Sequence, residues 1–266
     1  MIREATAADY PTFAELFREL GIDETAPSQD RWASELARDT LISERCGRVD
    51  GYVTFIALSD AGHVRNLVVA PHARRDGVGR ELMQAAAESL RARGIAEWHL
   101  NVRVGNAAAI QLYEQLGMAV EHRSVVLRVP VSRIPELPRE RAQALPVDPV
   151  EDDDIERALD LLAGRIAMTR VRRDRVLMQL RDNTCAPIGF ASIGVGTAGD
   201  PTLPAVQPFR VARPALAGTL LTALAAHTMS PRIQVVVEDD AAVTRLLAAA
   251  GAETALELLH YRGAVP

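Results

Sequence analysis

A short stretch with the sequence PHARRDGVGRELM, residues 71–83, brings basic side chains and glycines together. A strand-like apolar run precedes it and a helix-like run follows it, so several unpaired backbone N–H groups would meet at a helix N-terminus. Such an end favours anions, and arginines add charge-assisted donors for phosphate oxygens. We therefore expect the stretch to bind a pyrophosphate. The residues expected to contribute are Arg74, Arg75, Asp76, Gly77, Val78, Gly79 and Arg80.

The glycine spacing narrows the choice of pyrophosphate compound. A dinucleotide fingerprint needs a third glycine where this chain has Leu82, and no strand–helix–strand unit surrounds the loop. The phosphate loop of nucleoside triphosphatases needs Gly-Lys followed by Ser or Thr, which is absent. Neither nucleotide class fits this loop.

A second motif follows at residues 98–117. The run WHLNVRV alternates apolar and polar residues, which predicts a strand with one apolar face. Asn106 can cap a helix that carries Tyr113 and ends at Gly117. A tyrosine on such a helix either packs in the core or, beside a bound thioester, donates a proton.

The pattern Arg-x-x-Gly-x-Gly at residues 74–79 resembles the acetyl-CoA loop of the GNAT superfamily of N-acetyltransferases. LVVAP before the loop looks like the fourth strand of that family, and LNVRVGNAAAIQLYEQLGM looks like its fifth strand and following helix. The resemblance covers about residues 2–130. It implies acetyl-CoA as the acyl-donor cosubstrate and no metal. It also implies direct transfer to a primary amine in a ternary complex.

The same resemblance assigns roles around the thioester. The fourth and fifth strands of the family splay apart, so the main chain of Leu67, Val68 and Val69 is expected to bind pantetheine and polarise the thioester carbonyl. Asn106 is expected near the pantetheine. Tyr113 matches the proton donor to the CoA sulfur.

The sequence does not identify a single general base. Some relatives carry Glu at the position of Asn101 or of Asn66, and an amide cannot accept a proton at neutral pH. His99 shares the polar face of its strand with Asn101 and is the remaining candidate, with His63 behind it. A water chain, or an amine that arrives neutral, would serve equally well.

Two similar halves are expected to position these residues. Residues 106–118 align with 240–252 at a constant offset of 134, and the order of predicted strands and helices recurs. We predict an α/β (α+β) protein of two tandem GNAT-like domains, each a mixed, mostly antiparallel central sheet flanked by helices. The expected limits are 1–130 for the catalytic domain, 131–146 for a proline-rich linker and 147–266 for a degenerate copy.

The second copy lacks the features that carry the chemistry. Tyr113 corresponds to Leu247, and the arginine-glycine loop corresponds to ALAGT, residues 215–219. We expect this copy not to bind acetyl-CoA in the usual way. It would complete a substrate cleft, shield an edge strand or replace a dimer partner.

The composition of the chain limits the kinds of partner that it is expected to bind. A net charge of -5 argues against nucleic acid. The two cysteines have no metal-ligand spacing, and no targeting segment or membrane-spanning run stands out, so a cytoplasmic monomer or homodimer is expected.

The preferred acceptor is a small-molecule amine, because the fifth-strand Glu is missing, with a peptide acceptor still open. The rival from another class is a non-catalytic acyl-CoA-binding regulatory module.

Overall fold

The computed structural model describes residues 1–21, 25–57, 61–161, 163–172, 174–195 and 203–266. The strands are β1 Ile2–Glu4, β2 Thr40–Arg45, β3 Arg48–Ala57, β4 Ala61–Val69, β5 Glu97–Arg103, β6 Ala119–Pro130, β7 Gln143–Pro146, β8 Arg175–Arg181, β9 Pro187–Gly194, β10 Ala205–Val211, β11 Arg232–Glu238 and β12 Glu253–Ala264. The α-helices are α1 Tyr10–Phe17, α2 Gln29–Arg31, α3 Val78–Ala92, α4 Ala107–Gln115, α5 Asp152–Ala158, α6 Arg165–Arg170, α7 Ala217–Ala225 and α8 Ala241–Ala249. A π-helical segment continues α2 over Trp32–Leu36, and short 3-10 helices cover Ala7–Asp9, Arg18–Leu20, Ala37–Asp39, Pro71–Ala73, Val131–Glu136, Pro149–Glu151 and Pro214–Leu216.

The chain divides into two compact units. Unit 1 contains Met1–Glu121 together with Leu259–Pro266, and unit 2 contains His122–Leu258. Strands β6 and β12 therefore each begin in one unit and end in the other.

The sheet of unit 1 has the strand order β1-β2-β3-β4-β5 followed by the end of β12. All pairs from β1 to β4 are antiparallel, and β4 runs parallel to β5. The expectation that no strand–helix–strand unit surrounds the loop is therefore wrong, because β4, α3 and β5 form one. One face of this sheet packs against α3 and α4 through a core that includes Leu82, Trp98 and Tyr113. The other face packs against α1 and Trp32 through Phe13 and Tyr52. The unit is a mixed, mostly antiparallel sheet flanked by helices, as the sequence predicts.

The sheet of unit 2 repeats this plan in the order β7-β8-β9-β10-β11-β6. Here β10 and β11 are the parallel pair, and the remaining described pairs are antiparallel. Helices α4 and α8 begin at residues 107 and 241 after the caps Asn106 and Asp240, which confirms the offset of 134 for this helix.

In each unit, the strand next to the parallel pair is distant in sequence from that pair. After α4, the chain enters β6, whose residues from Ser124 to Pro130 pair with β11 of unit 2. The position beside β5 in unit 1 is filled instead by the end of β12, and the N–H of Val265 donates to the carbonyl of Ala96 at 2.8 Å. The unit boundaries therefore differ from the expected limits of 1–130 and 147–266.

The segment expected to be an irregular linker, residues 131–146, is largely part of the core of unit 2. It forms a 3-10 helix and β7, and the side chains of Ile134 and Leu137 are buried among α7 and the sheet. A Cβ on Gly218 in the first turn of α7 would lie 2.4 Å from the carbonyl oxygen of Pro138. The prolines end regular elements here without releasing the chain from the core.

The hairpin between β2 and β3 turns at Cys46 and Gly47. The Val-Asp-Gly sequence of residues 49–51, although its composition is typical of a turn, lies inside β3. Cys46 and Gly47 both have positive φ, of 51° and 75°, as a tight hairpin turn between twisted strands requires. Strand β8 was not expected, although it supplies buried Leu180 to the core of unit 2.

Candidate active site

The N-terminus of α3 presents a row of unpaired main-chain donors. Glu81 donates its N–H to the carbonyl of Gly77 at 3.0 Å, and within the described chain the N–H groups of residues 75 to 80 have no backbone or side-chain acceptor. Gly77 has a φ of +81° and Arg75 a φ of +73°, a conformation that turns successive N–H groups outward. Val78 is buried at 1% exposure, so only its main chain is available to a ligand. The loop has the donor chemistry of a phosphate site.

The arginines of the loop hold different positions. Arg74 donates to the carbonyl of Val69 at 3.2 Å and pairs with Glu19 at 2.6 Å, so its side chain fixes the loop against β4 and the end of the first helix. Arg80 donates to the side chain of Gln115 on α4. Arg75 and Asp76 are exposed at the surface of the loop. The guanidinium of Arg75 is therefore available to an anion.

Gly79 is the place where the loop, β4 and α4 meet. A Cβ on Gly79 would lie 3.4 Å from Leu112 Cδ2, 3.6 Å from Val69 Cγ2 and 3.9 Å from Leu67 Cδ2. The absence of a side chain thus brings the first turn of α3 close to both other elements. The phosphate donors, the end of β4 and the helix that carries Tyr113 share one corner of unit 1.

A gap opens between β4 and β5 at this corner. The parallel ladder runs from the pair Ala61–Glu97 to the pair Val64–Leu100, and residues 65–69 and 101–103 lie beyond its last pair. Arg65 is the extra residue of a bulge opposite β3, between the pairs of Val64 and Asn66. The bulge lies where β4 leaves β5.

The main chain of β4 points two donors into the gap. The N–H of Ala70 donates to Asp50 on β3 at 2.8 Å, and donors alternate sides along an antiparallel strand. Val68 is therefore committed to β3, whereas the N–H groups of Leu67 and Val69 point away from β3. The apolar side chains of Leu67 and Val69 pack in the core beside α3 and α4.

Asn106 has a structural function at the start of α4. Its side-chain oxygen accepts the N–H of Ala109 at 3.2 Å, and its carbonyl accepts the N–H of Ile110 at 3.0 Å. The residue is exposed and lies three residues after β5 ends. It is the helix cap that the sequence predicts, and a contact with pantetheine stays a prediction.

Tyr113 lies on α4 with 6% of its surface exposed. Its ring packs 6.1 Å from the ring of Tyr261 on β12, at an interplanar angle of 57°. Burial raises the pKa of Tyr113 to about 12, because the phenolate would lose its hydration. The phenol therefore keeps its proton at neutral pH, as a proton donor must.

The opposite face of β5 carries the polar residues considered as bases. Trp98, Leu100 and Val102 point into the core that contains Tyr113, so His99 and Asn101 point to the other side of the sheet. His99 is directly paired with His63 in the parallel ladder. Burial, with smaller contributions from Arg65 and His99, lowers the pKa of His63 to about 4, which makes it a weak proton acceptor.

Sequence reasoning missed the residues that β6 and β12 bring to this face. Glu121 lies 3.8 Å from Nδ1 of His99 and accepts a hydrogen bond from Arg262 at 3.1 Å. Arg262 also pairs with Glu97 at 2.5 Å. No local pattern could place residue 262 next to residue 97, because the last predicted strand was assigned to the second copy.

The corresponding corner of unit 2 is filled by the chain itself. Helix α7 has no glycine cap, and the backbone of Leu137 and Pro138 lies directly against Gly218 in its first turn. Nearby, the N–H of Glu140 donates to the carbonyl of Ala215 at 3.1 Å, and its carboxylate pairs with Arg213. Leu247 stands at the position of Tyr113 and is completely buried.

The described residues contain no cluster of three or more His, Cys, Asp or Glu side chains that could bind a metal ion. None of their helices has the length and apolar character needed to cross a membrane.

Part of unit 1 is similar in sequence to known proteins. Residues 3–118 match the model of the acetyltransferase (GNAT) family. The [ribosomal protein bS18]-alanine N-acetyltransferase of Escherichia coli strain K12 is 38% identical over 71 residues, which are 27% of this chain and 48% of that protein. The chain thus spans about half the length of the curated relatives it matches.

Solved structures match across both units. A GCN5-related N-acetyltransferase from Sphaerobacter thermophilus has a TM-score of 0.68 and 18% identity, covering 100% of this chain and 95% of that one. A tandem GNAT protein from the clavulanic acid biosynthesis pathway, solved without AcCoA, has a TM-score of 0.63 and 19% identity, covering 98% and 95%. These likenesses confirm the predicted fold class.

Proposed function

We propose that unit 1 is an N-acetyltransferase that moves an acyl group from acetyl-CoA to a primary amine of a small molecule. The observation that carries the proposal is the close approach at Gly79 of the first turn of α3, the end of β4 and helix α4. These elements carry the unpaired N–H groups of residues 75–80, the gap beside Leu67 and Val69, and the protonated phenol of Tyr113. The match of residues 3–118 to the acetyltransferase family supports it.

Each group has a step in the transfer. The loop donors and Arg75 bind the pyrophosphate, and the N–H groups of Leu67 and Val69 bind pantetheine or the thioester oxygen, which stabilises the oxyanion. The amine nitrogen forms a bond to the carbonyl carbon, and the C–S bond breaks with its electron pair on sulfur. Tyr113 then protonates the thiolate. The acyl group passes directly to the amine, without an enzyme intermediate.

The preferred acceptor is a small amine because Asn101 replaces the glutamate that peptide-acetylating relatives carry. A peptide N-terminus is the second candidate, and the E. coli relative that acts on ribosomal protein bS18 favours it. A non-catalytic acyl-CoA sensor is the rival from another class. For each acceptor, Asn101 and the nearby His99 lie on the face of the sheet from which we expect the amine to approach.

Turnover discriminates among these candidates. Purified protein is incubated with acetyl-CoA and a panel of small amines, aminoglycosides and peptides with free N-termini, and thiol release is followed. Release with small amines supports the proposal, and release with peptides alone supports the second candidate. Tight CoA binding without release on any acceptor supports the sensor, and no CoA binding contradicts all three.

We further propose that unit 2 does not bind acetyl-CoA. The segment 137–140 covers the first turn of α7, where the pyrophosphate would have to lie, and this packing supports the proposal. Isothermal titration is expected to give one CoA per chain and one heat of binding. Two equivalent sites per chain would contradict it.

A further inference from the structure

Two groups of titratable residues lie on opposite faces of the sheet in unit 1. Tyr113 belongs to the core on the side of α3 and α4, whereas His99 points from β5 to the other face. The gap between β4 and β5 connects the two faces, since the ladder ends one residue after the pair of His63 and His99. A thioester bound in this gap would lie between the core that contains Tyr113 and the face of the sheet that carries His99.

The side chain of His99 has a charged neighbour on another strand. Its Nδ1 lies 3.8 Å from a carboxylate oxygen of Glu121 on β6, and the other oxygen of that carboxylate accepts a hydrogen bond from Arg262 on β12. Arg262 is itself paired with Glu97 on β5. A carboxylate beside Nδ1 favours a proton on that nitrogen and leaves Nε2 as the acceptor, the arrangement of a histidine base.

The charged and titratable surroundings of His99 come from every neighbouring strand. His63 lies beside it on β4, and Glu97 shares its face of β5. Glu121 approaches from β6, and His260 and Arg262 are on the same face of β12, because Tyr261 between them points into the core. Burial keeps His63 neutral and weakly basic.

We propose that His99 is the general base of the acyl transfer and that Glu121 is its positioning residue. The inference rests on the proposed function of unit 1. His99 Nε2 takes a proton from the attacking amine, directly or through one water, and Asn101 lies between His99 and the open end of the gap. The nitrogen lone pair forms the C–N bond, and the C–S bond breaks. Sulfur takes the proton of Tyr113, and the phenolate and the imidazolium return to their resting states through solvent.

Steady-state kinetics over pH test the assignment, using acetyl-CoA and the amine that gives the fastest thiol release. His99→Gln is expected to lower kcat/KM for the amine by about 10²-fold at neutral pH. It should also remove the fall in rate at acidic pH and leave the Kd for CoA unchanged. Glu121→Gln is expected to lower kcat for the amine and leave the Kd for CoA unchanged, because His99 loses the carboxylate beside its Nδ1. A purely structural role of Glu121 would lower stability in urea and leave kcat of the folded enzyme unchanged.

His63→Gln is the matched control, because it makes the same substitution on the neighbouring strand. Its rate and acid limb should stay as in the wild type. The inference is overturned if His99→Gln keeps the wild-type rate and acid limb, or if His63→Gln loses as much as His99→Gln. If the wild type itself shows no turnover, the proposed function fails, and this inference fails with it. If the wild type turns over and His99→Gln turns over equally well, the assignment of the base fails and the proposed function stands.

Discussion

Tyr113→Phe is expected to lower kcat by about 10³-fold, within the range for loss of a general acid. The variant removes one oxygen atom and leaves the ring, so the packing of α4 against β12 is kept. The phenol has its pKa raised to about 12 by burial and is protonated throughout the physiological range. Without it, this site has no phenol to protonate the leaving thiolate. Thiol release under saturating acetyl-CoA measures kcat, and calorimetry with CoA measures affinity, which should not change.

Tyr261→Phe is the matched control for this experiment. Tyr261 is equally buried, its ring is the neighbour of Tyr113, and its hydroxyl donates to Glu114 at 3.2 Å. Loss of this hydroxyl removes a hydrogen bond of the framework and should leave kcat near the wild-type value. Equal losses of kcat in both variants would show that the phenol of Tyr113 contributes packing and no proton.

Gly77→Val is expected to raise the Kd for CoA by about 10³-fold, through loss of two charge-assisted hydrogen bonds of about 2 kcal/mol each. The φ of +81° at Gly77 is unfavourable for a β-branched residue, so the peptide planes around position 77 must rotate. That rotation would turn away the N–H groups of residues 77 and 78, which are expected to bind the pyrophosphate. A Cβ at this position meets no protein atom within 4 Å, so the effect comes from backbone conformation and not from a clash.

Gly164→Val supplies the same backbone strain without the anion site. Gly164 has a φ of +78°, precedes helix α6 and also has no atom within 4 Å of a Cβ. The donors at that helix end are already occupied, because the carboxylate of Glu156 accepts the N–H groups of Gly164 and Ile166 at 2.8 and 2.7 Å. Gly164→Val should lose more stability in urea than Gly77→Val, because the buried carboxylate of Glu156 would lose an N–H donor. If Gly164→Val weakened CoA binding as much as Gly77→Val, the loop would not be the pyrophosphate site.

The sequence predicted those parts of the fold and site that depend on local patterns. The glycine loop, the cap at Asn106 and the helix of Tyr113 each have signals within a few residues, and the offset of 134 placed the start of α8. The sequence could not show that Val68 donates to β3, because that depends on ladder register.

Features that depend on long-range pairing were missed. The alternation in β12 predicts a strand but carries no information about its neighbour, so β12 was assigned to the second copy throughout its length. Glu121 and Arg262 therefore could not be connected to His99. The prolines of residues 130–149 indicated a linker, yet apolar Ile134 and Leu137 among them are buried. Frequent prolines mark breaks in regular structure and do not exclude burial.

The position of β12 in unit 1 affects the order in which the protein can fold during synthesis. Domains of a multidomain protein usually fold in order as they emerge from the ribosome, the N-terminal one first. Unit 1 cannot follow this rule, because Leu259 and Tyr261 belong to its core and are translated only after all of unit 2. Until then the nascent chain carries β5 as an open edge, which is prone to pair with other polypeptides. Catalytic competence would therefore appear only in chains translated past β12, and a ribosome that stalls earlier would release an inactive product.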